Sequence, residues 1–201
     1  MLSESLLQWV DLNQPSLYWA VASIAFNPIF WTIAARSEYN HKAITKLAGG
    51  NRLYGCYLLA ISIFSLGIVR DFIYKTALEH QPVHPLLAYG EVKLLGALLV
   101  LVGNVLVLSS MYALGVTGTY LGDYFGILMD ERVTGFPFNV TDNPMYNGST
   151  MVFLGTALWY GSLTGVLLTI HVLIAYTLVL KFEEPFTAKI YAEREESSKT
   201  K

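Results

Sequence analysis

Two adjacent carboxylates, Glu183 and Glu184, close the last apolar segment of this chain, just before Pro185. Acids at a helix C-terminus oppose the helix dipole, which favours cations there. Lys181 already supplies such a cation, and Phe182 and Phe186 flank the pair and would bury part of it. The arrangement points to a cationic partner at a membrane edge, with a merely solvated interfacial pair as the plain alternative. Upstream, Asn143-Pro-Met-Tyr-Asn-Gly-Ser-Thr150 reads as a turn followed by a helix start. Ser149 or Thr150 is the expected N-cap, and Gly148 allows close backbone approach. Tyr146 would then be a hydrogen-bonding aromatic wall and Asn143 a polar contact, or the stretch is simply a capped helix entry. Between residues 119 and 132, Tyr120, Tyr124 and Phe125 alternate with Asp123, Asp130 and Glu131. Such a stretch fits a short amphipathic element lying in the interface. Aromatics beside acids also suit an ammonium or sulfonium group, through cation–π attraction; an aromatic interface belt is the competing reading.

The elements that must position these residues are apolar. Of the 201 residues 54% are hydrophobic and 14% charged, with a mean hydropathy of +0.46, against about 25% charged in soluble domains. These values predict an all-α, polytopic integral membrane protein with four to five membrane helices, forming one domain over residues 1–201 with a disordered tail from about residue 193. The net charge of −2, with no basic stripe, gives no nucleic-acid footprint. A single cysteine, Cys56, excludes a disulfide framework and a Cys-based zinc site, and reads as a small buried hydrophobe. His41, His80, His84 and His171 lack metal-ligand spacing. His171 falls in an apolar segment and is expected to bond within the helix packing. Acids and no basic region at the N-terminus argue against a cleaved signal peptide. No nucleophile elbow, P-loop or strand-linked Gly-x-Gly-x-x-Gly is present, which excludes a soluble Rossmann enzyme.

Four apolar segments stand out, at about residues 17–35, 53–69, 94–114 and 151–180. Asn27-Pro28 interrupts the first, where a kink is expected. The fourth is long for one crossing and contains Gly161-Ser-Leu-Thr-Gly165, a turn-like cluster. As one tilted helix it would put Tyr146 and Glu183 on opposite membrane faces. As a C-terminal helical hairpin it puts them on the same face, each arm being about 22 Å long. The hairpin places ten basic residues on the site side and three (Arg70, Lys75, Lys93) on the other, whereas the single span gives eight against five. The positive-inside rule therefore favours the hairpin, with the site side cytosolic. Asn139-Val-Thr141 and Asn147-Gly-Ser149 are glycosylation sequons, usable only if their loop is lumenal.

Taken together these residues strongly resemble the phospholipid N-methyltransferase family. The resemblance covers nearly the whole chain: Phe26-Asn-Pro28 with Trp31 and Ala35-Arg36; Val107-Leu-Ser-Ser110; Leu121-Gly-Asp-Tyr-Phe-Gly-Ile-Leu128; Phe136-Pro-Phe-Asn139; Asp142-Asn-Pro-Met-Tyr146; and Glu183-Glu-Pro-Phe-Thr-Ala188. Residues 120–140 look especially like the fungal enzymes that add the second and third methyl groups. The resemblance implies S-adenosylmethionine as donor and a phospholipid in the bilayer as acceptor. Mono- and dimethylated phosphatidylethanolamine would be converted to phosphatidylcholine. The implied setting is multi-pass, in the endoplasmic-reticulum membrane, with a mitochondrial membrane as the other location. It also implies cofactor binding at a Gly-x-Gly in the third helix and at the paired glutamates. Here the first slot reads Leu101-Val102-Gly103. With its first glycine missing, Val102 and Gly103 are left a backbone contact or close helix packing. The wider superfamily includes isoprenylcysteine carboxyl methyltransferases, whose Pro-x-Tyr turn and terminal glutamates flank the cofactor, as Pro144–Tyr146 and Glu183–Glu184 would here. The cofactor-binding set is then Val102, Gly103, Asn143, Tyr146, Glu183 and Glu184. The catalytic set is Glu183, Glu184, Asp123 and Tyr146, with Tyr124 beside the methyl path. A prenylcysteine carboxyl methyltransferase, a membrane sterol reductase and a non-enzymatic scaffold remain as alternatives.

Overall fold

The computed structural model describes residues 8–199, and among them the regular structure is helical. Four helices are long and apolar enough to cross a bilayer. The first, α1 (Pro15–His41), starts with Pro15 in its first turn, where a missing N–H costs nothing. It runs on through Pro28 and ends at Lys42 in the left-handed conformation. Glu38, fully buried in its last turn, accepts from the backbone N–H of Ile44 and Thr45 at 2.8 and 2.9 Å and so caps the five-residue helix α2 (Ala43–Leu47). Next comes α3 (Arg52–Glu79), capped by Asn51, whose side chain accepts from the N–H of Leu53 and Tyr54. It is a full turn and more longer than the apolar stretch 53–69 suggests.

Helix α4 (Gly90–Thr119) bends at Gly115, where φ is 64° and ψ −178°, a conformation that only glycine adopts easily. A 3-10 turn, Gly122–Phe125, follows. It tucks Tyr124 and Phe125 into a buried cluster with Ala35, Cys56 and Leu59, so this stretch is not the interfacial element that its composition suggests. Cys56 is fully buried there, as expected.

The fourth apolar segment is a hairpin. Helix α5 (Pro144–Trp159) is followed by a turn at Tyr160 and Gly161, with Gly161 at φ 62°, and then by α6 (Leu163–Lys199). The Ser162 hydroxyl accepts from the N–H of Gly165 and caps α6. At 16 residues α5 is about 24 Å long, the shorter arm. It starts at Pro144, with Asn143 in the cap position, so Ser149 and Thr150 lie inside the helix and do not cap it. The early start follows from Pro144, whose fixed φ suits the first helical turn. Helix α6 continues through the charged stretch 193–199 that composition marks as a disordered tail, where Arg, Glu and Lys are good helix formers. Residues 200–201 of that tail and the start of the N-terminal segment, 1–7, lie outside the described residues.

Antiparallel packing of α4 on α5 is the densest interface of the fold. Gly103 faces Gly148 and Gly96 faces Gly155: a Cβ added to Gly103 would lie 2.5 Å from the Gly148 carbonyl oxygen, and one on Gly155 would lie 2.5 Å from that of Gly96. Small residues let the backbones meet, a common basis of helix association in lipid. Elsewhere α1, α3, α5 and α6 share a core of Ile24, Tyr74, Phe153 and Val172, in which the Tyr74 hydroxyl donates to the carbonyl of Phe153 at 2.9 Å. His171 bonds to the Val21 carbonyl oxygen at 3.2 Å and ties α6 to α1. The outer faces carry exposed Ile29, Ile33, Leu98, Leu101, Leu108 and Leu173, the surface a bilayer requires.

Candidate active site

Because α5 and α6 form a hairpin, the start of one and the end of the crossing part of the other lie at the same end of the bundle. There the Tyr146 hydroxyl donates to Glu183 Oε2 at 2.6 Å, and the Asn143 amide donates to Glu184 Oε1 at 2.9 Å. Two short motifs, far apart in sequence, are joined by two hydrogen bonds to carboxylates, the stronger kind. The Tyr146 ring in turn meets the Tyr176 ring edge-on, with centroids 5.0 Å apart. Tyr176 accepts from Arg70 at 2.9 Å and shares a hydrogen bond with the Ser149 hydroxyl at 3.1 Å.

All of these except Glu184 line a cavity of about 440 Å³ bounded by α1, α3, α4, α5, α6 and the loop before α5. Glu183 and Asn143 stand at its upper end and Arg70 and Asp71 deeper within it, with Trp31, Tyr146 and Phe153 as aromatic walls. On one side the wall is split. Ile63, Phe64, Gly67 and Ile68 of α3 face Val107, Met111 and Leu114 of α4 across the cavity, and these two helices touch sparsely. Phe64 and Ile68 are exposed on this side.

Asn143, Tyr146 and Glu183, all expected at the site, therefore line one cavity. Glu184 sits at its edge, exposed, holding Asn143. Asp123 is turned toward α6, where it accepts from the Thr187 hydroxyl at 2.9 Å, one turn beyond Glu183 and off the cavity wall. Tyr124 stacks on Phe186, with centroids 5.1 Å apart, and the Arg36 guanidinium covers the Phe186 ring at 3.8 Å. Tyr124 does not line the cavity, but it lies within electrostatic reach of Glu183 and Tyr146. The structure does not bring Val102 and Gly103 to the carboxylates. Val102 points outward, 45% exposed, and Gly103 is filled by the α5 backbone. Of the two roles left open for that slot, close helix packing is the one its geometry supports.

Residues missed in the sequence are Asn27, Trp31, Asn104, Ser149 and Tyr176, together with Arg70 and Asp71. Arg70 reads from hydropathy as the first residue of a loop on the far side. It is instead well inside α3 and lines the cavity. Ionisable residues inside a membrane helix are a signal in their own right, readable here once α3 is extended to Glu79.

The phospholipid methyltransferase family model matches residues 92–194. Over 185 residues the chain is 60% identical to the phosphatidyl-N-methylethanolamine N-methyltransferase of Schizosaccharomyces pombe, covering 92% of this chain and 94% of that protein. It is 55% identical over 196 residues to the enzyme of that name from Saccharomyces cerevisiae, covering 98% and 95%. Human phosphatidylethanolamine N-methyltransferase is 45% identical over 193 residues, covering 96% of each chain. No solved structure matches.

Proposed function

This chain belongs to the phospholipid methyltransferase family, and on that premise we propose how its cavity serves N-methylation of phosphatidylethanolamine and its methylated forms toward phosphatidylcholine. It is a multi-pass membrane methyltransferase. The mono- and dimethyl lipids are the preferred acceptors, residues 1–201 act as one catalytic domain, and the endoplasmic-reticulum membrane is its location. The observation that carries the site assignment is the pair of bonds joining Tyr146 to Glu183 and Asn143 to Glu184 at one end of one cavity.

The residues suit S-adenosylmethionine. A carboxylate and aromatic walls accept a cation, while Asn143 and Tyr146 beside it offer polar partners to hydroxyl groups. When bound, that donor supplies an electrophilic sulfonium methyl. The difficulty is to bring a water-soluble cation and a membrane-held amine into line, so positioning is the main catalytic device. Glu183, held by Tyr146, binds the donor's cationic or ribose groups and is the carboxylate placed to take the amine proton. Glu184 orients Asn143. The split between α3 and α4 admits the lipid sideways, keeping its acyl chains in the bilayer.

The test is methyl transfer in membranes containing this protein, with labelled S-adenosylmethionine and phosphatidylethanolamine, its monomethyl form or its dimethyl form. Label in di- and trimethylated lipid, chiefly from the last two substrates, is the expected result. A folded protein that labels none of them overturns the reading.

A further inference from the structure

The charged floor of the cavity has no part in the methyl transfer just described. Arg70 and Asp71 lie more than two turns inside α3 from its end at Glu79, within the crossing part of the chain. The Arg70 Nε and one terminal nitrogen donate to the same oxygen of Asp71, at 3.0 and 2.8 Å, and its other terminal nitrogen donates to the Tyr176 hydroxyl at 2.9 Å. Phe153 packs its ring 4.9 Å from the guanidinium carbon. Arginine has five N–H donors, so two are left over among the described residues. The second carboxylate oxygen of Asp71 is left over as well. The Arg70 side chain is 12% exposed and that of Asp71 60%, and both line the cavity.

A charged pair at this depth is expensive, and a tie between α3 and α6 alone does not need one. The pair offers a cation and an anion, side by side, to whatever occupies the cavity floor. The acceptor headgroup is a zwitterion too, but its nitrogen must be deprotonated and in line with the methyl to react, so it is not the group to rest on Asp71 as an ammonium. The amino-acid end of an adenosyl donor brings both an α-carboxylate and an α-ammonium. Tyr176, which holds Arg70, is seven residues from Glu183 on α6, about two turns. We propose that Arg70 and Asp71 form the subsite for the donor's amino-acid end, with Arg70 binding the α-carboxylate and Asp71 the α-ammonium. This inference rests on the reading of the cavity as the S-adenosylmethionine site.

The experiment is calorimetric binding to the purified full-length protein in detergent, with S-adenosylhomocysteine, an analogue lacking the α-carboxylate and an analogue lacking the α-amino group. Arg70→Gln is expected to weaken S-adenosylhomocysteine about tenfold to a hundredfold, leave the analogue without the carboxylate within about twofold, and thereby abolish the wild-type preference between them; Arg70→Lys is expected to restore part of it. Asp71→Asn, at an exposed side chain, is expected to weaken both ligands that carry the α-ammonium and to spare the one that lacks it. Equal losses for all three ligands, or no loss, would show a purely structural pair and overturn the proposal. So would a loss confined to a short-chain phosphatidylmethanol, which would assign Arg70 to the lipid phosphate. A wild type that binds none of the adenosyl ligands overturns the donor reading itself, a result distinct from variants that bind without discrimination.

Discussion

The two ends of the helix bundle are built on different principles. At the end away from the site, Gln81 ties several polar groups to one another, although the Ser16 hydroxyl is buried there without a hydrogen-bond partner. Gln81 exchanges two hydrogen bonds with the backbone of Asp11 and accepts a third from the Thr164 hydroxyl, all at 2.8–2.9 Å. His84 donates its backbone N–H to the Gly161 carbonyl at 2.8 Å, and Val83 pairs with Ser162. This end fastens the α5–α6 turn. At the other end the chain gathers carboxylates, aromatics and a guanidinium around open space, and the side chain of Arg36 keeps a buried Nε with no hydrogen-bond partner. One end fastens the turn, and the other holds paired polar groups against open space.

That contrast can be broken from either side. The largest expected effect is at the site: Glu183→Gln should lower the turnover of folded, membrane-inserted protein by about a hundredfold, read as labelled lipid formed per minute, since a positioned proton acceptor contributes on that order. Full activity would remove Glu183 from the mechanism. At the closed end, Gln81→Ala strands three polar groups and should cost about 1–3 kcal/mol of stability, seen as a lower melting temperature in detergent with lipid KM unchanged. A change in KM without a change in melting would reverse the roles assigned to the two ends. Glu184→Gln keeps an acceptor for Asn143 at an exposed position, so a loss of only a few-fold, about 1 kcal/mol, is expected, and a loss equal to that of Glu183→Gln would make the pair one unit. The smallest effect is at Val102→Ala, where turnover and donor affinity should stay within about twofold; a larger drop in donor affinity would bring the third-helix slot back into the site.

Much of this arrangement was legible in the residue order. Gly161 lies in the turn that makes the hairpin, and its position alone brings Tyr146 and Glu183 to one end. Buried Cys56 and the packing bond of His171 also follow from their apolar surroundings. Other features were hidden for identifiable reasons. Hydropathy stops the second segment at Val69, but a helix is sustained by backbone bonds and by pairs such as Lys75 with Glu79, 3.5 Å apart, and so carries Arg70 into the cavity. Tyr124 and Phe125 look interfacial by type, yet the turn that follows α4 folds them inward. The role of Gly103 could not be separated from ligand contact without knowing that Gly148 lies opposite.

On the proposed lateral entry of the lipid, the split between α3 and α4 sets the dimensionality in which this enzyme meets its acceptor. A substrate that arrives through the side of the protein is drawn from a two-dimensional solution, and its effective concentration is a mole fraction of the surrounding lipid, not an amount per volume of buffer. Diluting the acceptor with inert phospholipid in the same membrane should slow the reaction, while adding more membrane of unchanged composition should not speed each enzyme molecule. A partly methylated product leaving by the same opening re-enters the pool from which the next acceptor is taken.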